Sequence, residues 1–196
     1  MSESLITKKA IAQGFKELMK SKAFEKITIN DITSICGLNR QTFYYHFQDK
    51  YELLNWIYYT EIISVLSDNL SFDNYDSKFL EMLQKMKSES YFYHEVLKIY
   101  ANEAFRNYLF EVAFELFCDI IDKISTDTSI QQSDKAFIAK FFSFGIVGVI
   151  IDWAQHGMKQ SPEEVTDHLK NLIQDSKVYA FKRYIGQNDI NVITDN

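Results

Sequence analysis

The chain has 196 residues, 46% hydrophobic and 24% charged, with one proline, six glycines, two cysteines and a formal net charge of −6. That is ordinary globular material, long enough for one large or two small domains with a sizeable core, and so few breaks favour long helices. Cys36 and Cys118 lie far apart in no pairing or metal-ligand spacing, which excludes a disulfide framework and fits reduced, buried thiols.

The charge is unevenly placed. Residues 1–50 carry eight Lys/Arg against five Asp/Glu, a net of +3, whereas residues 51–196 carry thirteen against twenty-two, a net of −9. A mildly basic head on an acidic body suits a small DNA-facing unit attached to something with another task. The opening MSESLITKK lacks the apolar stretch of a secretion signal. The longest strongly apolar, charge-free run, Phe141 to Ile151, is too short to span a bilayer. The expectation is a soluble, cytoplasmic protein.

Ile11, Phe15, Leu18 and Met19 recur at i, i+4, i+7 and i+8, the stripe of an amphipathic first helix that ends near Ser21 to Ala23. Phe24 and Ile27 turn the connection inward. Thr28-Ile29-Asn30-Asp31 reads as a helix start in which Thr28 caps and Asp31 bonds back. Ile29, Ile32, Ile35 and Cys36 supply the inner face of this second helix, and Gly37 fits the left-handed residue that ends it. Leu38 re-enters the core, and Asn39 caps a short third helix over 40–46 that Phe43 and Phe47 anchor. Two helices joined by a tight glycine turn make a helix-turn-helix.

On the third helix, Arg40, Gln41, Tyr44 and Tyr45 stand at i, i+1, i+4 and i+5 and form a second contiguous stripe. Arginine offers a fork to guanine O6 and N7, and glutamine pairs with adenine N6 and N7. Tyrosine hydroxyls reach phosphates, and Thr28 and Lys50 lie at helix starts where a phosphate can dock. A solvated polar face would explain any one of these residues, but the assembled unit points to a DNA reader.

The segment ITINDITSICGLNRQTFYYHFQDKYELL resembles the DNA-binding signature of the TetR family of bacterial transcriptional regulators. Thr28, Ile32, Gly37, Thr42, Tyr44, His46, Phe47, Lys50 and Leu53 fall in the family's register. Thr33 and Cys36 replace its usual alanines, Leu38 its valine and Asn39 its serine, all keeping size or capping ability. The resemblance implies an all-α, TetR-type fold: a three-helix DNA-binding domain over residues 1–50 and a helical regulatory and dimerisation domain over 51–196. It implies that Arg40 and Gln41, where the family varies most, read the bases, with Asn30 a third candidate. Thr28, Thr42, Tyr44, His46 and Lys50 then hold the DNA backbone, and Asn39 and Tyr45 complete the DNA-facing set. His46 reads equally well as a packing residue.

From Asp49 a long helix, DKYELLNWIYYTEIISVLSDNL, runs to the polar SFDNYDS, and in proteins of this type it connects head to body. Further helices are expected near 77–88, 91–100, 103–124, 133–157 and 161–185, with a frayed tail after them. In the fourth of these, Phe137, Phe141, Phe144 and Gly148 form one stripe with Gly145 and Val149 beside it, and the two glycines would let another helix approach closely. Gly157 fits a C-cap, Ser161 an N-cap and Pro162 the first position of the last helix. That pair could be internal core. The resemblance implies instead a homodimer, joined through these residues, that reads an inverted-repeat operator in double-stranded DNA.

Catalysis finds no support. The histidines are His46, His94, His156 and His168, with no HExxH, no Cys/His cluster and no Gly-rich phosphate loop, so neither metal nor cofactor is expected. The aromatic-rich YFYHEVLKIYANEAFRNYLFEVAFELF admits a small-molecule pocket, although aromatics at helical spacing are more often core. Along its whole length the chain is also similar to TetR-type regulators of dihydroxyacetone kinase operons, with SFGIVGVIIDWAQHGMKQSPEE typical of that group. This resemblance implies an activator that works with a dihydroxyacetone-kinase-like coactivator protein and a body whose interior is filled. The alternative is a repressor released by a small apolar or aromatic ligand.

Overall fold

The computed structural model describes residues 3–67, 70–71, 73–97, 103–124 and 131–185, and every regular element among them is helical. The tail, residues 125–130 and the end of the helix expected over 91–100 lie outside the described residues. In chain order the helices are α1 (Glu3–Met19), α2 (Ile29–Ile35), α3 (Arg40–His46), α4 (Lys50–Tyr58), α5 (Ser64–Ser67), α6 (Tyr75–Ser88), α7 (Ser90–Val96), α8 (Glu103–Ile124), α9 (Gln132–Gln155) and α10 (Pro162–Ile185).

Local chemistry sets most of the boundaries. At α2, Thr28 Oγ1 accepts from the Asp31 N–H (3.2 Å) while the Asp31 carboxylate accepts from the Thr28 N–H (2.8 Å), a reciprocal capping box. Asn39 Oδ1 caps α3 through the Thr42 N–H at 2.8 Å, and Asp49 Oδ1 caps α4 through the Tyr51 and Glu52 N–H groups, both at 2.8 Å. Gly37 adopts φ 65° after α2, so that Leu38 N–H reaches the Thr33 carbonyl (2.9 Å) and Gly37 N–H that of Ser34 (3.2 Å). This six-to-one, five-to-two closure needs a left-handed residue, and glycine takes it without a Cβ penalty. The same closure ends α9 at Gly157, and Ser161 with Glu164 boxes the start of α10.

The head, α1 to α3, packs around Ile11, Phe15, Phe24, Ile27, Ile32, Phe43 and Phe47, all essentially buried. A buried Phe of this kind contributes about 1.5–3 kcal/mol of burial, so Phe43 and Phe47 hold a helix too short to persist alone. Ile35 departs from expectation: it is 45% exposed, and Thr33 occupies the inner face beside Ile32. On seven residues only about two turns exist, and Ile35 falls at the side of α1, against Gly14.

The connecting helix is not uniform. Between α4 and α5, residues Tyr59–Ile63 form one π turn, with Ile62 and Ile63 buried in the body. In the body, α8 and α9 lie against one another, with Phe117 stacked on Phe142 (5.2 Å between ring centroids) and Phe110 against Phe144 (4.5 Å). α6 packs on α10, tied by Lys170–Asp76 at 2.6 Å and Gln84–Glu163 at 2.8 Å. α9 contains an 18-residue stretch long and apolar enough to cross a membrane by length and composition, with mean hydropathy 1.7. The charge-free run within it is therefore too narrow a measure. One side of α9 is packed into the core through Ala139, Ile146, Val147 and Ile150, while the other carries the aromatic stripe.

Candidate nucleic-acid interface

α3 divides its residues by facing. Phe43 is fully buried and meets Phe47 at 5.8 Å, which fixes the helix on the head. The opposite side presents Arg40, Gln41, Tyr44 and Tyr45, the last 82% exposed. Tyr44 beside it is 50% exposed, so two neighbouring rings are left available to a partner. Arg40 lies along Tyr44, its guanidinium 5.9 Å from the ring centre and Nη2 donating to the Tyr44 hydroxyl at 3.3 Å. Tyr44 in turn stands edge-on to Phe43 at 5.7 Å, so the arginine is oriented through a ring seated on the core. Asn39, Gln41, Thr42 and Tyr45 line a shallow depression of about 330 Å³ beside it.

The expected backbone contacts fare differently. Thr42 stands half-buried beside the Asn39 cap, its hydroxyl 3.1 Å from Asn39 Oδ1. His46 is half-buried against Tyr45 (4.9 Å) and Phe47 (6.5 Å), in a packing position. Asn30 is exposed in the first turn of α2. Thr28 commits its hydroxyl proton to Asp31 Oδ2 at 2.8 Å, and that carboxylate is itself bonded by Lys22 at 2.6 Å. The start of α2 thus already holds an internal anion. The Lys22 bond, followed by those from Thr28, holds the Asp31 pKa down to about 2.

Lys50 requires the largest revision. Its ammonium turns inward, donating to the carbonyls of Phe24 (2.8 Å), Glu25 (3.1 Å) and Ile27 (3.0 Å) over the Phe24 ring. Burial draws its pKa below the ordinary lysine value, with Glu25 opposing. An ammonium has three donors, and here all three are used within the protein. Lys50 therefore ties the start of α4 to the turn that leads into Thr28, a contact across more than twenty residues that no local pattern signals. Lys16 and Lys22 are likewise held by carboxylates of the chain, and Lys20 pairs with Glu17 at the surface. The basic excess of the head overstates its outward charge. Lys50 aside, Lys8, Lys9, Lys26 and Arg40 are the head cations in none of the ion pairs found among the described residues. Sequence reasoning overlooked Lys8, whose ammonium lies over the Phe47 and Trp56 rings at 5.3 and 5.9 Å.

The dimer-face residues are open. Phe137, Phe141, Phe144 and Val149 are all exposed, and a Cβ added at Gly145 or Gly148 would meet nothing within 4 Å. Leu172 of α10 is exposed as well.

Two family descriptions match this architecture. "Bacterial regulatory proteins, tetR family" covers residues 13–57, and "Transcriptional regulator C-terminal region" covers residues 73–175, more than half of the chain. The chain belongs to the TetR family. Its relatives include the dhaKLM operon transcriptional activator DhaS of Lactococcus lactis, 29% identical over 88% of this chain and 91% of DhaS. The solved structure of a dihydroxyacetone kinase operon activator DhaS superposes with TM-score 0.73 at 26% identity, covering 92% of this chain and 98% of that one. NalD, the secondary repressor of the MexAB-OprM efflux pump of Pseudomonas aeruginosa, shares the fold at TM-score 0.58 and 18% identity, over 89% and 97% of the two chains. This TetR-type protein is thus a transcriptional regulator, as are these relatives, and not an enzyme. TetR-family regulators act as DNA-binding dimers.

Proposed function

We propose that this protein activates a dihydroxyacetone kinase operon, binding an inverted-repeat operator as a cytoplasmic homodimer and answering to a dihydroxyacetone-kinase-like coactivator protein. Arg40 and Gln41 read the bases, with Asn30 beside them, while Asn39, Thr42, Tyr44, Tyr45 and His46 flank the phosphates. Residues 1–50 serve as the reading head and 51–196 as the regulatory and dimerisation body. Two copies join through Phe137, Phe141, Phe144, Gly145, Gly148 and Val149, whose exposed aromatic face gains a cover in that arrangement.

The observation that favours an activator over a ligand-released repressor is the tight packing, among the described residues, where α5, α6, α8 and α9 meet. The space among Leu66, Phe79, Met82, Leu109, Ala113 and Ile146 amounts to about 10 Å³. That is the room for about one water, whereas a small-molecule pocket occupies about 300–1,000 Å³. Tight packing at that junction favours a protein signal on the surface. A repressor reading is favoured by one feature, a cleft of about 600 Å³ between α8 and α9 lined by Arg106, Phe110, Lys140, Phe144, Ile151 and Gln155. It shares Phe144 and Gly148 with the face assigned to the second copy.

Selection of random duplex DNA by the purified protein, with and without a purified dihydroxyacetone-kinase-like protein, tests the proposal. The expected result is an enriched inverted repeat, with transcription from it in a purified system rising when the partner is added. Transcription that falls on binding and recovers with a small molecule alone would establish the repressor instead.

A further inference from the structure

Behind the reading head lies a charge cluster, built on the buried Lys16 and otherwise partly buried, that DNA contact does not explain. Lys16 of α1 is 2% exposed, and its ammonium bonds the carboxylates of Glu61 and of Glu89, the latter at 2.5 Å. Lys85 of α6 bonds the other Glu89 oxygen at 2.9 Å and stands 3.6 Å from Glu61. The Tyr93 hydroxyl donates to Glu61 at 3.3 Å, and the Phe92 ring lies 5.2 Å from the Lys16 ammonium. The four charged groups come from four places: the head helix α1, the π turn of the connecting helix, the last turn of α6, and the corner between α6 and α7. Burial works against the Glu89 charge, yet the bonds from Lys16 and Lys85 hold its pKa below the ordinary carboxylate value.

A purely apolar seam would seal head against body without fixing their angle, because apolar burial is non-directional. The adjoining contact, Phe15 edge-on to Phe92 at 6.2 Å, adds a ring-geometry preference but no charge that sliding would leave unpaired. An ammonium shared between two carboxylates is directional, and sliding α1 would leave a buried charge unpaired, which is strongly unfavourable. Exchange of this cluster for apolar residues would often leave stability unchanged, so its presence points to geometry rather than to stability. The π turn, an irregularity frequent at functional positions, falls where the connecting helix contributes Glu61.

We propose that Lys16, Glu61, Glu89 and Lys85 are positioning residues that set the angle between head and body and thereby the half-site spacing the dimer accepts. The proposal rests on the reading of the protein as a homodimer on an inverted repeat. One base pair advances about 3.4 Å along B-DNA, so a shift of a few ångströms between the two recognition helices changes which spacer fits.

The test uses the full chain and a set of duplexes carrying the selected half-site as inverted repeats with spacers varied one base pair at a time. Anisotropy is read for the wild type and for the variant combining Lys16→Met, Glu61→Gln and Glu89→Gln, which removes three of the four charges, leaves the more exposed Lys85 and keeps the side-chain sizes. The wild type is expected to prefer one spacer by about tenfold or more over its neighbours. The variant is expected to keep its half-site sequence preference while that discrimination falls to about twofold. A loss of stability alone would lower affinity for every spacer alike. An unchanged spacer profile in the folded variant overturns the proposal. If circular dichroism shows the triple variant unfolded, Glu89→Gln alone, which retains the Lys16–Glu61 pair, is measured in the same way, and an unchanged profile there overturns it equally. Wild-type protein that binds single half-sites with no spacer preference overturns the dimeric reading itself, and this proposal with it, before any variant is made.

Discussion

Replacing Lys50 with methionine separates two roles for a residue that family resemblance assigns to phosphate. Methionine keeps most of the apolar stem and removes the three donors. The hydrogen bonds it abolishes run from a charged group to the carbonyls of Phe24, Glu25 and Ile27, of which the first and last are partly buried and the middle one exposed. Bonds to charged groups are worth about 1.5–3 kcal/mol each when well buried, and water takes over part of that here, leaving about 2–3 kcal/mol for the set. For a chain of this size that corresponds to a fall in Tm of about 5–10 °C. Operator affinity should fall through a loosened turn before α2, with no change in the slope of log affinity against log salt. A lysine bound to phosphate would behave in the opposite way: its removal would leave Tm unchanged and lower the slope by about 0.9 for each phosphate no longer neutralised. The assays are thermal denaturation by circular dichroism and anisotropy across a salt series. A Lys50→Met protein with wild-type Tm and a flattened salt slope would refute the inward-clamp reasoning.

Arg40→Ala and Gln41→Ala should each cost about 1–3 kcal/mol of operator binding and relax preference at one base position, read by repeating the selection with each variant. Phe141→Asp should convert the dimer to a folded monomer, because Phe141 is 67% exposed in the single chain; sedimentation with circular dichroism checks both halves of that statement. Gly14→Ala should destabilise by about 1–3 kcal/mol in urea unfolding, since the new Cβ would lie 2.4 Å from Cys36 Sγ and 2.8 Å from Ile35 Cγ2. The folded-state pKa of Asp31 is depressed to about 2, so its ionised form stabilises the fold at ordinary pH. The stability advantage of the wild type over Asp31→Asn should be full above about pH 4 and vanish as pH falls towards about 2, as followed by Tm against pH.

The candidate interface was legible in the sequence to the extent that it is built from short-range relations. Thr28 with Asp31, Asn39 with Thr42, and Gly37 with Leu38 and Thr33 all close within five residues. Their geometry follows from residue type and spacing, and so do the helix starts, the turn and the facing of Arg40, Gln41, Tyr44 and Tyr45. The stripe on α9 was equally plain, since helical period alone gathers Phe137, Phe141 and Phe144 on one side.

What sequence alone determined is thus the set of local closures and the faces that helical period assigns. Tertiary structure decided where long, flexible side chains end and which faces find a partner. Lys8 and Lys9 have the same chemistry as Lys16 and Lys50, yet only Lys16 and Lys50 are drawn inward, by groups 23 to 73 residues away. Ile35 lies at the edge of α2 because α1 passes beside it, and the π turn appears where α4 must join head to body. The mostly aliphatic space among Leu66, Phe79, Met82, Leu109 and Ile146 closes to about 10 Å³ only when α5, α6, α8 and α9 meet around it. A lysine stem reaches several ångströms in any direction, and a cavity is the difference between large volumes on separate helices. Neither quantity is a function of neighbouring residues, so both wait on the packing.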